Sequence, residues 1–361
     1  MPASLNASHL PATPFLAVDA AIVETNLAAM AHAAAAKGMD LRPHAKTHKV
    51  LELALRQIGL GAVGLTVATL GEAEVFAVAG VTDIFLAFPV WADEGKGARL
   101  QALAENVKLT VGIDSVEGAR QLAAATAGAP IGVLVEVDSG HHRSGAAAAN
   151  AGSLARAAAD AGLDVRGVFT FPGHGYGPGN QGSAAQDEAQ ALAAAVQSLA
   201  AAGLEAAVVS GGSTPTAAVA DAGILTEMRP GVYLFNDAQQ VEMGTCGWGD
   251  VALWAVATVV SRHGQHIILD SGSKTLGADW PAWTTGGGRL PDHRDARITA
   301  LSEHHATVEF PENTVLPTPG ELIRVVPNHV CAAVNLADEL SVMVDGAVAD
   351  TWRVAARGRN S

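Results

Sequence analysis

Sulfur is scarce in this chain: Cys246 and Cys331 are the only cysteines among 361 residues. Two thiols give no disulfide framework, so the reading is a protein of the reducing cytoplasm. Aromatic residues make up only 4%, and Tyr176 and Tyr233 are the sole tyrosines. So few large rings favour helices packed closely through small residues. Basic residues are outnumbered, 22 Lys and Arg against 36 Asp and Glu, for a formal net charge of −14. That sign excludes nucleic acid and an anionic membrane surface as expected partners. No run reaches the roughly 18 uninterrupted apolar residues of a membrane span. The Ala-rich stretches near 146–161 and 189–202 are broken by Arg156, Asp160 and Gln197. The opening MPASLNASHL has neither a basic start nor an apolar core, so it reads as no secretory leader. No GxGxxG follows the first strand, which weakens any dinucleotide-binding reading.

What is present is apolar bulk with a rhythm. Apolar residues make up 49%, enough for a sizeable core. After a short strand at 15–19 and an alanine-rich helix at 20–37, extended stretches recur near 41–47, 62–68, 83–87, 108–113, 131–137, 166–171, 206–210 and 228–234. Helical segments fall between most of them. Runs such as IGVLVEV do not alternate, as suits strands covered on both faces. Eight such strands over about 200 residues predict a (β/α)8 barrel, with an open doubly wound sheet as the alternative. Past residue 246 the pattern turns to strands separated by Gly, Pro and Asp, without a long helix. The expected organisation is a barrel over 14–245 and a smaller β domain over 246–361, joined by residues 1–13.

The chemistry centres on RPHAKTHK, residues 42–49. Pro43 pins the backbone as extended, and a strand would turn Arg42, His44, Lys46 and His48 to one face. Cationic neighbours disfavour an ammonium, so Lys46 is the candidate nucleophile. The plainer alternative is a solvated basic edge strand. Further candidates follow later strands. Asp138 to Gly145 reads DSGHHRSG, and 171–176 reads FPGHGY, with His174 and Tyr176 in a glycine-rich loop. Arg143 has a structural alternative, an ion pair with Asp138. Ser210 to Pro215 reads SGGSTP: the backbone of Gly211 and Gly212, the hydroxyls of Ser213 and Thr214, and a helix N-terminus would suit an anion. Both tyrosines fall at barrel strand ends, which disfavours a mere packing role. Finally, His329 and Cys331 stand two apart in PNHVC and on a strand would share a face. Imidazole and thiolate are good zinc ligands, yet two are fewer than the three usual in a catalytic zinc site. Without further support, a buried cysteine beside a surface histidine is the ordinary alternative.

RPHAKTHK, the D-x-G-x-x-R-x-G segment, the G-H-x-Y stretch and PNHVCAAVNL together resemble the D-serine dehydratase/D-threonine aldolase family, in the same order from about residue 14 to 345. That resemblance implies an alanine-racemase-like fold: a barrel binding pyridoxal 5'-phosphate, followed by a β domain. It implies that Lys46 forms the Schiff base and that Arg143 contacts the cofactor's phenolate oxygen. His174 and Tyr176 would line the cofactor pocket, and Tyr233 would bond the phosphate. It further implies zinc on His329 and Cys331, with manganese or magnesium as alternatives. Water and the substrate's β-hydroxyl would fill the remaining positions. The expected substrate is a small-molecule β-hydroxy-D-amino acid, the expected reaction dehydration of D-serine or a relative to a 2-oxo acid and ammonia, and the expected assembly a homodimer. The alternative is retro-aldol cleavage, as by a D-threonine or 3-hydroxy-D-aspartate aldolase. The aldolase branch tends to carry Asp where this chain has Cys331, and thiolate softness favours zinc. A cofactor-carrier protein lacks the second domain, and a racemase needs a late tyrosine that this chain does not have after Tyr233.

Overall fold

A computed structural model describes residues 10–361. The leader reading of the opening segment, and most of the expected 1–13 arm, lie outside the described residues. The described chain forms two eight-stranded sheets. By contacts it divides into two compact units: one of Met30–Lys46, Leu51–Gly231 and Gly358–Ser361, the other of Met1–Ala29, Thr47–Val50 and Val232–Arg357.

In the first unit, all the paired strands run parallel. Their order is Asp40–Leu41, Glu227–Met228, Val208–Gly211, Asp164–Phe169, Gly132–Glu136, Lys108–Ile113, Asp83–Pro89 and Leu65–Val67. Hydrogen bonds close the ring: Val63 N–H donates to Leu41 O at 3.0 Å and Thr66 N–H to Pro43 O at 2.8 Å. His44 and Thr66 then pair as a parallel bridge. This is the expected (β/α)8 barrel, with all eight strands where the apolar runs fall. The first and last strands are shorter than the sequence suggests. Pro43 and Pro230 follow them and lack N–H donors, although Arg42 and His44 still donate to Met228 O and Pro230 O, both at 3.0 Å.

Side-chain caps start several of the barrel's helices. Thr69, Asp93 and Ser115 accept from the N–H of Glu72, Lys96 and Gly118 respectively. Such caps contribute about 1 kcal/mol each. Small residues allow close helix approach, as expected: the Gly152 N–H donates to Ser198 Oγ at 2.9 Å. The helix expected near 215–222 is only the 3-10 turn Ala217–Val219. Inside the barrel, Phe85, Leu134 and Phe169 form a buried cluster, with the two rings edge to face at 5.0 Å.

In the second unit, Phe15–Asp19 is a central strand rather than a barrel element. It pairs antiparallel with Leu253–His263 and parallel with Glu339–Val344. Ala17, Trp254, Val256, Val326 and Met343 pack into one core there. The division therefore does not follow a single cut at 245: the N-terminal strand, Thr47–Val50 and the chain from Val232 on all belong to this unit. The last strand, Ala347–Arg353, escapes the sequence reading because it is a largely exposed edge without an apolar run.

Candidate active site

Lys46 does not sit on a strand. Ala45–Thr47 is a 3-10 turn, so the expected common face of Arg42, His44, Lys46 and His48 does not form. Arg42 is instead buried in ion pairs, its Nε 2.6 Å from Glu227 and its Nη1 2.6 Å from Asp83. Those carboxylates raise its pKa against the opposing effect of burial.

What stands around Lys46 is an aromatic ring. Its Nζ lies 5.6 Å from the Phe171 ring centre, and the Arg143 guanidinium lies 5.2 Å from the same centre. Tyr176 packs at 6.1 Å and His141 edge-on at 5.5 Å. Phe171 thus gathers three of the predicted residues, Lys46, Arg143 and Tyr176. The loops after Gly132–Glu136 and Asp164–Phe169 interlock. His141 lies where a Cβ on Gly173 would come within 2.7 Å, and His174 where one on Gly140 would come within 3.3 Å. Larger residues at those two glycines would push the loops apart. The alternative ion pair for Arg143 is not the arrangement found: Asp138 Oδ2 is 2.7 Å from His142 Nδ1 and its Oδ1 accepts from Gly140 N–H. Burial first, then the charge of Arg143, push His141 below the ordinary histidine range. His174 faces Asp187, Nε2 to Oδ2 3.3 Å.

The 210–214 loop differs from its expected form. With only a 3-10 turn behind it, no helix N-terminus points at an anion. Ser213 is buried and turned inward, its N–H and hydroxyl both within 3.0 Å of Thr216 Oγ1. Gly212 adopts a left-handed φ of +74° that favours glycine. Its N–H donates to Glu188 Oε1 at 2.7 Å. Burial pushes Glu188 up to about 7, against the opposing pull of that N–H and of Arg229. Tyr233 is buried in the 3-10 turn Val232–Leu234 and belongs to the other unit.

The metal candidates do not lie on a strand either. His329 is the residue before the helix Val330–Leu336, and Cys331 is in its first turn. The two side chains nevertheless meet, and the thiol donates to Thr47 Oγ1 at 3.3 Å. Burial alone would lower the His329 pKa; the negative charge of Cys331 and then the Asp237 carboxylate outweigh it and hold it well above the usual range. Among the described residues no group of three or more His, Cys, Asp or Glu forms a metal cluster. The pair is thus a two-ligand set of one borderline nitrogen and one soft sulfur, which suits zinc with open positions. The barrel residues fit pyridoxal phosphate: an amine and a guanidinium converge on one aromatic ring, which suits a flat anionic cofactor ring.

Sequence reasoning missed Phe171, His141, Glu188 and Asp237. Phe171 and His141 stand inside motifs already singled out, and Asp237 has the cap signature of an acid three residues before Gln240. Glu188, in the middle of a polar-flecked helix, carries no signal.

Comparison with known proteins fits this geometry. A model of the alanine racemase N-terminal domain matches residues 18–239, and one of a putative serine dehydratase domain matches residues 252–343. A D-threonine aldolase from Arthrobacter sp. is 35% identical over 360 residues, covering 96% of this chain and 93% of that protein. D-threo-3-hydroxyaspartate dehydratase from Delftia sp. (strain HT23) is 32% identical over 380 residues, covering 94% and 96%. A solved cysteine-to-alanine variant of that dehydratase, in a metal-free form, has a TM-score of 0.86 at 30% identity, covering 96% of this chain and 97% of that one. The crystal structure of D-threonine aldolase from Filomicrobium marinum has a TM-score of 0.87 at 31% identity, covering 99% of both chains. With both parts of the chain matched and full-length relatives above 30% identity, this protein belongs to the D-serine dehydratase/D-threonine aldolase family of pyridoxal-phosphate enzymes with the alanine-racemase fold.

Proposed function

We propose that this pyridoxal-phosphate-dependent lyase acts by dehydration, converting D-serine or a related β-hydroxy-D-amino acid to a 2-oxo acid and ammonia with zinc on His329 and Cys331. The observation that carries the reading is the meeting of the His329 and Cys331 side chains, a donor pair with soft sulfur. A D-threo-3-hydroxyaspartate dehydratase with a metal-free form is 30% identical, which supports a metal site in a relative named for dehydration.

Lys46 would hold the cofactor, Arg143 would face its ring oxygen, and Phe171 would hold both cations against its ring. Tyr176 and His174 would wall the pocket, and the backbone of Gly211 with Ser213, Thr214 and Tyr233 would serve the phosphate end. Bound there, pyridoxal phosphate supplies an electron sink for charge developing at the substrate Cα. The Lys46 amine would be the base for the substrate's α-proton. His329 and Cys331 would hold a divalent cation, which would supply Lewis acidity toward the substrate's β-hydroxyl as a leaving group. The net change is loss of water across Cα–Cβ, followed by hydrolysis to ammonia and the 2-oxo acid. Thr47 Oγ1 lies 3.3 Å from Cys331 Sγ, where its hydroxyl would donate to the metal-bound thiolate and restrain the sulfur. A homodimer in which the partner completes each site, as the resemblance implies, remains part of this reading.

Aldol cleavage is the second reading, favoured by the 35% identity to the Arthrobacter aldolase. A product assay separates the two. Purified protein given D-serine and D-threonine should yield pyruvate and 2-oxobutyrate with ammonia. Glycine and an aldehyde as the main products would replace dehydration with aldol cleavage.

A further inference from the structure

We infer that Asp237 is the positioning residue of the metal pair, holding His329 in the one tautomer that can bind a cation; the inference rests on the metal reading above. Asp237 has no solvent exposure. Its Oδ1 accepts the Gln240 N–H at 3.0 Å, and its Oδ2 accepts the Val330 N–H at 3.1 Å. That same Oδ2 lies 3.4 Å from His329 Nδ1. The backbone fixes this placement, since Ala238 N–H donates to Pro327 O at 3.0 Å and Gln239 N–H to Asn328 O at 3.2 Å. The carboxylate and the imidazole therefore sit on two segments tied together on either side of the contact.

An ionised carboxylate only accepts, so at this 3.4 Å approach a proton directed at it belongs on Nδ1 and the lone pair on Nε2. Nε2 is the nitrogen left to a cation, and a carboxylate behind a ligating imidazole strengthens it as a donor. The charge balance points the same way. With a cation on Nε2, Asp237 and a Cys331 thiolate would place two negative charges beside a neutral imidazole, at a largely buried point where unpaired charge is costly. A divalent cation cancels that sum.

The test is Asp237→Asn in the holoenzyme. Asparagine keeps one acceptor for the Gln240 N–H, but its amide donates to Nδ1 and drives the proton to Nε2, where the cation should bind. Zinc affinity, measured by competition with a chromophoric chelator, should fall about 10- to 100-fold. The absorbance of the lysine-bound cofactor should be unchanged. A cobalt-loaded sample should keep its thiolate charge-transfer band, because Cys331 still ligates. To separate positioning from general loosening, the same change is made in a His329→Ala background, where it should alter zinc affinity by less than about twofold. Unchanged affinity in Asp237→Asn, or losses that simply add in the double variant, would overturn the inference. If the unaltered protein binds neither zinc nor cobalt, the metal reading itself falls, and the inference falls with it.

Discussion

Around Lys46 the barrel unit gathers rings and glycine loops, whereas around His329 the other unit gathers a carboxylate, a thiol and a short helix. Phe171 lies against both Lys46 and Arg143, with Tyr176 and His141 packed about it. Asp237 Oδ2 lies 3.4 Å from His329 Nδ1 and accepts the N–H of the next residue, Val330. The first environment suits a flat conjugated ring, which needs shape and a few fixed cations. The second suits a small cation, which needs charge compensation and donor type rather than area. Loss at the first site should therefore be all-or-none, and loss at the second graded and dependent on the metal supplied.

The largest effect is expected at Lys46. Lys46→Ala removes both the cofactor's covalent anchor and the base for the α-proton, so turnover should fall by about 10³-fold or more. The absorbance of the lysine-bound cofactor should vanish with it. A variant that keeps that absorbance would move the anchor elsewhere and undo the barrel half of the comparison.

A smaller effect is expected at the metal pair. Chelation should lower ammonia release by about 100-fold while leaving the lysine-bound cofactor spectrum intact. Restoring zinc should return activity. Cys331→Asp exchanges a soft ligand for a hard one, so reactivation should shift from zinc toward manganese or magnesium. Full ammonia release from protein shown by metal analysis to be empty would leave His329 and Cys331 as ordinary side chains.

These sites differ in how far the sequence shows them. The barrel is legible because apolar runs such as IGVLVEV recur in alternation with helical segments, and all eight reappear as strands. The 3-10 turn at Ala45–Thr47 is not legible: Pro43 announces extended backbone, and nothing local announces the turn two residues later. His329 and Cys331 are legible as a donor pair but not as a helix start, because PNHVCAA reads equally well as a strand end. Their two-residue spacing brings the side chains together in either geometry. Asp237 and Glu188 are illegible for a different reason. Each matters through a partner far along the chain, Val330 for one and Gly212 for the other. Only the fold makes those neighbours.

Glu188 gives the smallest effect on activity, and it bears on why the cofactor side needs shape more than charge. Its carboxyl lies buried beneath the Gly212 amide, Oε1 accepting that N–H at 2.7 Å. Its Oε2 is buried without a hydrogen-bond partner among the described residues. Burial raises its pKa from 4.5 to about 7, so in the folded protein it is largely neutral under mildly acid conditions. A neutral acid under the 211–214 loop does not repel an anion above it. The unfolded chain ionises the same group near 4.5, so between 4.5 and 7 the folded state binds more protons. Its contribution to stability is therefore complete below pH 4.5 and lost as pH rises through 7, by about 3 kcal/mol. Glu188→Gln keeps an acceptor for Gly212 but removes the titration. Urea unfolding at pH 5 and pH 8 should show the variant losing about 3 kcal/mol less than the unaltered protein across that interval. Cofactor affinity at pH 8 should hold or improve, since an ionised carboxylate no longer lies beneath the loop. Parallel stability profiles for the two proteins would mean that Glu188 is ionised in the fold, and that the barrel site, like the metal pair, works by balancing charge.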